Sequence, residues 1–122
     1  MYKEQIGTII GKLSTENDQD SVQLVDEMLK NCMAYVQKVY ALEVYILTKT
    51  EGDPDEYRQT VSNMDHTRSV THNALISSVK IVNRIFDRAG LPPIFTGDTE
   101  KRIEVANFAM EIVSELFSLR RL

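Results

Sequence analysis

Apolar residues recur along this chain at alternating steps of three and four, the spacing of one helix face. No stretch alternates with the period of two that a half-buried strand needs. Turn-forming residues cut the pattern into four segments. The expected fold class is all-α: an antiparallel helical bundle of three long helices plus a short N-terminal helix.

In the first segment Tyr2, Ile6, Ile9 and Leu13 share a face, and Ile10 widens it. Gly7 and Gly11 lower its helix propensity. Residues 14–20 read as a polar linker, after which Asp20 or Ser21 can cap the next helix. The second segment runs from about residue 22 to residue 49, with Val25, Leu29, Cys32, Val36, Val39, Glu43 and Ile46 as its stripe. Glu51-Gly52-Asp53-Pro54 then turns the chain: Asp53 is a good N-cap, and Pro54 suits the first helical position. The third segment ends near residue 89, where Gly90 supplies the stop and Pro92-Pro93 block continuation. Arg84 and Arg88 complement the negative end of its dipole. Ile94 and Phe95 are too apolar for a solvated loop and are expected to fold back onto the bundle. Asp98 or Thr99 is expected to cap a fourth helix reaching about residue 119.

The third segment contains a break in its stripe. Tyr57, Val61, Met64, Arg68, His72, Leu75, Val79, Val82 and Phe86 lie on one face, and Arg68 and His72 interrupt it. Polar groups there need partners or water. Asp65 lies on the same side, three residues before Arg68. The second and third segments would span about 42 and 54 Å, long enough for a kink, with Asn63 and Asp65 as its candidate position. Pairing the two outward from their short turn places Arg68 opposite Tyr35, His72 opposite Asn31 with Glu27 a turn beyond, and Glu43 opposite residues 57–61.

The fourth segment carries two stripes. One is Ile103, Ala106, Met110, Val113 and Phe117; the other is Val105, Ala109, Ile112, Leu116 and Leu119, joined by Phe108. A helix apolar over that much of its circumference is central or sits at an interface. With only three substantial helices available, a homodimer with two-fold symmetry is expected; the alternative is that the N-terminal segment covers the second face.

Composition narrows the class. The 122 residues suit one domain spanning 1–122; 43% are apolar and 26% charged, both ordinary for a soluble protein. A net charge of −4 makes nucleic acid an unlikely partner. Cys32 is the single cysteine, so no internal disulfide and no cysteine-rich metal site can form. The opening residues do not read as a signal peptide, and no run approaches a membrane span. A cytoplasmic location is expected, with no membrane partner.

The candidate ligand-binding residues are Asp65, Arg68 and His72, with Asn31 and Tyr35 across the helix pair. They can form a buried network that fixes helix register. Alternatively they can line a pocket in which Arg68 binds an anion and His72 answers to protons. No catalytic residue, metal ligand or cofactor is assigned. His66 and His72 lie on different faces, and no His-Glu-x-x-His, P-loop or dinucleotide fingerprint occurs. Cys32 reads as a small core residue. Arg84, Arg88 and Arg102 flank the Pro-rich loop and, with Asp87 and Asp98, read as a solvated ion-pair cluster at one end of the bundle. Arg120 and Arg121 suit a helix C-terminus.

The stretch Asp65-His66-Thr67-Arg68-Ser69-Val70-Thr71-His72-Asn73-Ala74-Leu75-Ile76, followed by Asn83-Arg84 and Gly97-Asp98 with Arg102, resembles a group of small all-helical bacterial proteins of uncharacterised function. That resemblance covers the C-terminal half; it implies a fold and brings no activity. Arg68 and His72 are also similar in residue type to the Arg and His that helical RNases of the toxin type (the HEPN class) carry at a dimer interface. The gap here is shorter than that family's, and the acidic charge fits RNA poorly.

The expected function is binding or regulation through a protein partner or a small anionic ligand. The alternative is a metal-independent RNase-like or phosphate-handling hydrolase, with His72 as general acid/base and Arg68 stabilising charge.

Overall fold

The computed structural model describes the backbone of residues 2–15, 18–49 and 51–120, and the side chains of these except residues 2, 3, 9, 10, 13–15 and 116–120. Tyr2, Ile9, Ile10 and Leu13 of the first stripe, and Leu116, Phe117 and Leu119 of the fourth, therefore lie outside the described side chains, as do Arg120 and Arg121. Four helices follow one another: α1 (Tyr2–Thr15), α2 (Gln19–Thr48), α3 (Pro54–Arg88) and α4 (Arg102–Arg120). Among the described residues there is no strand. The fold is an all-α bundle in which the three long helices pack on one another and α1 packs on α2 and α4.

Local chemistry sets the ends. Asp18, not Asp20 or Ser21, caps α2: its carboxylate accepts from the Ser21 N–H at 3.2 Å and from the Ser21 hydroxyl at 2.8 Å. α1 takes the first two residues of the expected linker, and the cap of α2 falls two residues before Asp20. Those two bonds hold the Asp18 carboxyl below the usual carboxylate range, with a smaller contribution from Arg88. Asp53 caps α3 as expected, accepting from the Asp55 N–H at 3.0 Å, and Pro54 starts the helix. Gly90 ends it with φ of 76°. The Gly90 N–H donates to Asp87 and the Leu91 N–H to Phe86, the paired bonds of a left-handed helix stop. α3 is one continuous helix from Pro54 to Arg88, through the candidate kink position at Asn63 and Asp65.

α2 and α3 are antiparallel. Tyr45 and Tyr57 stack near their turn with ring centroids 5.7 Å apart, and Asn31 donates to the Ser78 hydroxyl far below. The loop after α3 climbs back along it. Asn83 holds the loop at two points: its Oδ1 accepts from the Ile94 N–H at 2.9 Å, and its Nδ2 donates to the Phe95 carbonyl at 3.4 Å. Ile94 and Phe95 are buried as expected, and Phe95 packs on Phe108 with centroids 4.9 Å apart. Asp98 does not cap α4; its carboxylate accepts from the Glu100 N–H, and its own N–H donates to the Glu104 carboxylate. α4 begins beside Asp65, where Arg102 approaches to 3.5 Å, and passes Phe95 on its way down. It therefore runs in the same sense as α3 and against α2.

One apolar cluster joins all four helices. Val25, Met28, Cys32 and Tyr35 of α2 meet Leu75, Val79, Val82 and Phe86 of α3 and Val105, Phe108, Ala109 and Ile112 of α4, with Ile6 of α1 at the margin. Each fully buried side chain of this size contributes about 1.5–3 kcal/mol. The buried arc of α2 differs from the expected stripe: Met28 and Tyr35 are inside, Leu29 and Val36 are half-buried, and Glu43 and Ile46 are exposed. The arc faces both α3 and α4, so it is wider than a one-neighbour stripe. Above residue 43 the helix has passed the start of α4.

Candidate functional site

The interrupted stripe of α3 builds a half-buried polar cluster at the level where α4 starts. Arg68 is 7% exposed, although it is a cation on a bundle face. Its Nε donates to Asp65 Oδ1 at 2.8 Å, a pair one helical turn apart. The same oxygen lies 3.5 Å from Arg102 Nη1. Asp65 thus ties the head of α4 to α3 through Arg102, while its bond to Arg68 stays within α3. The Arg68 hydrogen bond keeps the Asp65 carboxyl below its usual range; burial opposes it, and the charges of Arg68 and Arg102 add to the lowering.

His72 sits one turn further along. Its ring meets Tyr35 edge-on, with centroids 5.5 Å apart and planes at 64°. Its Nδ1 is 3.5 Å from the amide oxygen of Asn73, a weak contact. Among the described residues neither Arg68 Nη1 nor His72 Nε2, both buried, has a hydrogen-bond partner.

The five candidate residues do not converge on one point. Asp65 meets Arg68, and His72 meets Tyr35. Asn31 turns away to Ser78, six residues beyond His72. The pairing is thus about one turn off the expected register, in which Arg68 faced Tyr35 and His72 faced Asn31. Helical side chains lean toward their own N-terminus, so residues that touch across an antiparallel pair are offset from residues at equal height. Glu27 accepts from Gln23 on its own helix, and Glu43 looks toward α4 rather than toward residues 57–61.

Arg102 also leaves its expected place. It pairs with Asp65, far up α3 from Arg84 and Arg88, so the three arginines are not one cluster. Arg84, Asp87 and Arg88 line an open depression of about 730 Å³ with Asn83 and Pro93. Cys32 is fully buried, and that burial pushes its thiol up to about 12, leaving it inert. Among the described residues no group of three His, Cys, Asp or Glu side chains is placed to hold a metal ion.

A second region, the side of α2 next to α4, was not singled out by the sequence. Tyr35, Val36, Val39, Tyr40 and Glu43 form one wall of a groove of about 200 Å³, and Ile103, Ala106, Asn107 and Met110 form the other. Neither Arg68 nor His72 lines it. Of the two stripes of α4, Val105, Phe108, Ala109 and Ile112 face the core. On the other, Val113 is buried, while Ile103 is 71% and Met110 43% exposed. Beyond Ile103 the apolar surface continues up α2 through Val44, Ile46 and Leu47, the last 79% exposed. The signal was present in the sequence as the run Val36, Tyr40, Val44, Leu47, a second helical stripe beside the one assigned.

The family model described as "Protein of unknown function (DUF3232)" matches residues 4–122. The chain belongs to that family. The match covers nearly the whole chain and is not confined to the C-terminal half, where the resemblance was read. No curated protein and no solved structure matches the chain.

Proposed function

We propose that this chain is a binding protein that works through a protein partner, with a homodimer as its working form and the α2/α4 face as its contact surface. One observation carries this reading. Of the eight large apolar side chains exposed among the described residues, six lie around the groove and the α2 surface above it: Tyr40, Val44, Ile46, Leu47, Ile103 and Met110. Scattered apolar residues are ordinary on a surface; a contiguous set of this size marks an interaction site.

A small-anion site or a hydrolytic centre at Arg68 and His72 has less support. Asp65 already occupies Arg68 Nε, and His72 is turned edge-on to Tyr35. The groove and the Arg84 depression are lined by other residues. A cytoplasmic setting agrees with a lone, buried cysteine, and no described helix is long and apolar enough to cross a membrane.

One experiment separates the two regions. Sedimentation should show self-association in the wild type, its loss in Tyr40→Glu and its retention in His72→Gln. Retention in Tyr40→Glu with loss in His72→Gln would move the working surface to the polar cluster.

A further inference from the structure

The groove between α2 and α4 is not uniformly apolar. Tyr35, 1% exposed, lies at its base, and Tyr40, 52% exposed, stands at its rim. Ile103 and Met110 form the facing wall, with the Asn107 amide between them in sequence. Of the described residues that line the groove, Glu43 alone carries a charge. Among the described residues this exposed carboxylate has no ion-pair or hydrogen-bond partner. Lys38, the nearest cation along α2, lies about 140° round the helix from it.

The surroundings have the same sign. At the head of α4, Asp98, Glu100 and Glu104 outnumber Lys101 and Arg102, and Arg102 is already paired with Asp65. The whole chain carries a net charge of −4. A low-dielectric cleft with one sign of charge concentrates the opposite sign. An anion entering here would meet Glu43 with no lining cation to receive it.

We propose that the groove binds a small organic cation, an ammonium or guanidinium group on an apolar body, with the charge at Glu43 and the body between the tyrosines and the α4 wall. Pockets that hold small ligands are mostly apolar, with a few polar groups that fix orientation. Here Glu43 sets the charge of the ligand, and Asn107 offers a carbonyl oxygen to an N–H donor. The tyrosine faces suit a cation and its alkyl stem, and Met110 is a side chain that adapts to an irregular apolar body. The volume of about 200 Å³ limits the occupant to a small molecule. The inference goes beyond the homodimer reading and stands without it. The ligand takes the concave part of the face, and Val44 and Leu47 above it are left to the partner chain.

The test uses the full chain and three probes of one length: hexylammonium, hexanol and hexanoate. Amide shifts at Glu43 and Asn107 are followed by NMR titration. Hexylammonium should bind about fivefold tighter than hexanol, the upper end for a solvent-reached ion pair, and hexanoate should bind weakest. Glu43→Gln, at an exposed position, should abolish the advantage of hexylammonium and leave hexanol unchanged. Ala106→Leu narrows the groove without altering charge and should weaken both. Hexanoate binding as tightly as hexylammonium, an advantage that survives Glu43→Gln, or no shift at these amides with any probe would overturn the site. Light scattering on the same samples keeps the two readings apart. A chain that binds hexylammonium at the mass of one copy would overturn the homodimer alone, and a paired chain that binds no probe would overturn the cation site alone.

Discussion

Arg68 Nε and Asp65 Oδ1 are 2.8 Å apart, and the pair joins a cation that is 7% exposed to a carboxylate whose side chain is 48% exposed. Water thus reaches the acid and hardly reaches the base. The arginine is the member that depends on its partner.

Removing Arg68 should be costly mainly through the packing of its buried stem. Arg68→Ala opens a cavity and leaves Asp65 with only the more exposed Arg102. The expected loss is about 2–4 kcal/mol, below the full value for a buried pair because Asp65 is half exposed. Arg68→Met keeps the stem volume and should lose less. Urea unfolding of the two variants checks this. Equal and negligible losses would mean that the burial of Arg68 carries no energy.

Asp65 gives the pair a pH signature. Its folded-state pKa lies below the unfolded value, so its contribution is present above about pH 4, the unfolded carboxylate range, and is lost as pH falls through the folded value. Comparing thermal unfolding of the wild type and Asp65→Asn checks this. The gap between them should be constant from about pH 5 to pH 8 and should narrow below about pH 4. A gap that widens on acidification would reverse the sign.

The loop offers a test of packing without charge. A Cβ at Gly97 would come within 2.8 Å of the Phe95 ring and of the Glu104 carboxylate. Phe95 cannot retreat, because it packs on Phe108. Gly97→Ala should destabilise by about 1–3 kcal/mol through overpacking. Gly7→Ala, at a helical position with nothing within 4 Å of the new Cβ, should be neutral or stabilising by comparison. Denaturation midpoints of the two decide it.

Cys32 reports on the whole fold. Its thiol is fully buried and pushed up to about 12. A thiol reagent at pH 8 should label it only as fast as the protein opens, and at full speed in denaturant. Rapid labelling of the native chain would show that the contact between α2 and α3 breathes.

The helices and their ends were largely legible in the residues. Asp53-Pro54 and Gly90 act at short range, so their chemistry reads directly from the chain. Ile94 and Phe95 were legible as buried loop residues because no solvated loop tolerates them. Asn83 was not read as their clamp: its role depends on a loop that returns along α3, and nothing local marks that path. Asp65 and Arg68 were legible as a pair because they share a turn. Tyr35 and Asn31 were placed a turn away from their actual partners, since register between two long helices depends on side-chain lean and packing. The exposed stripe through Tyr40, Val44 and Leu47 was hidden for a different reason. A stripe on a helix shows which side is apolar, but where α4 begins decides which part of it stays uncovered.

The central claim is that this uncovered stripe is an interface, and light scattering over a dilution series tests it most directly. The wild type should have a mass near twice the 13.9 kDa chain at micromolar concentration, and Leu47→Glu should have the mass of one chain with unchanged helix content. A wild type that weighs one chain at every concentration, or a Leu47→Glu variant that remains paired, would contradict it.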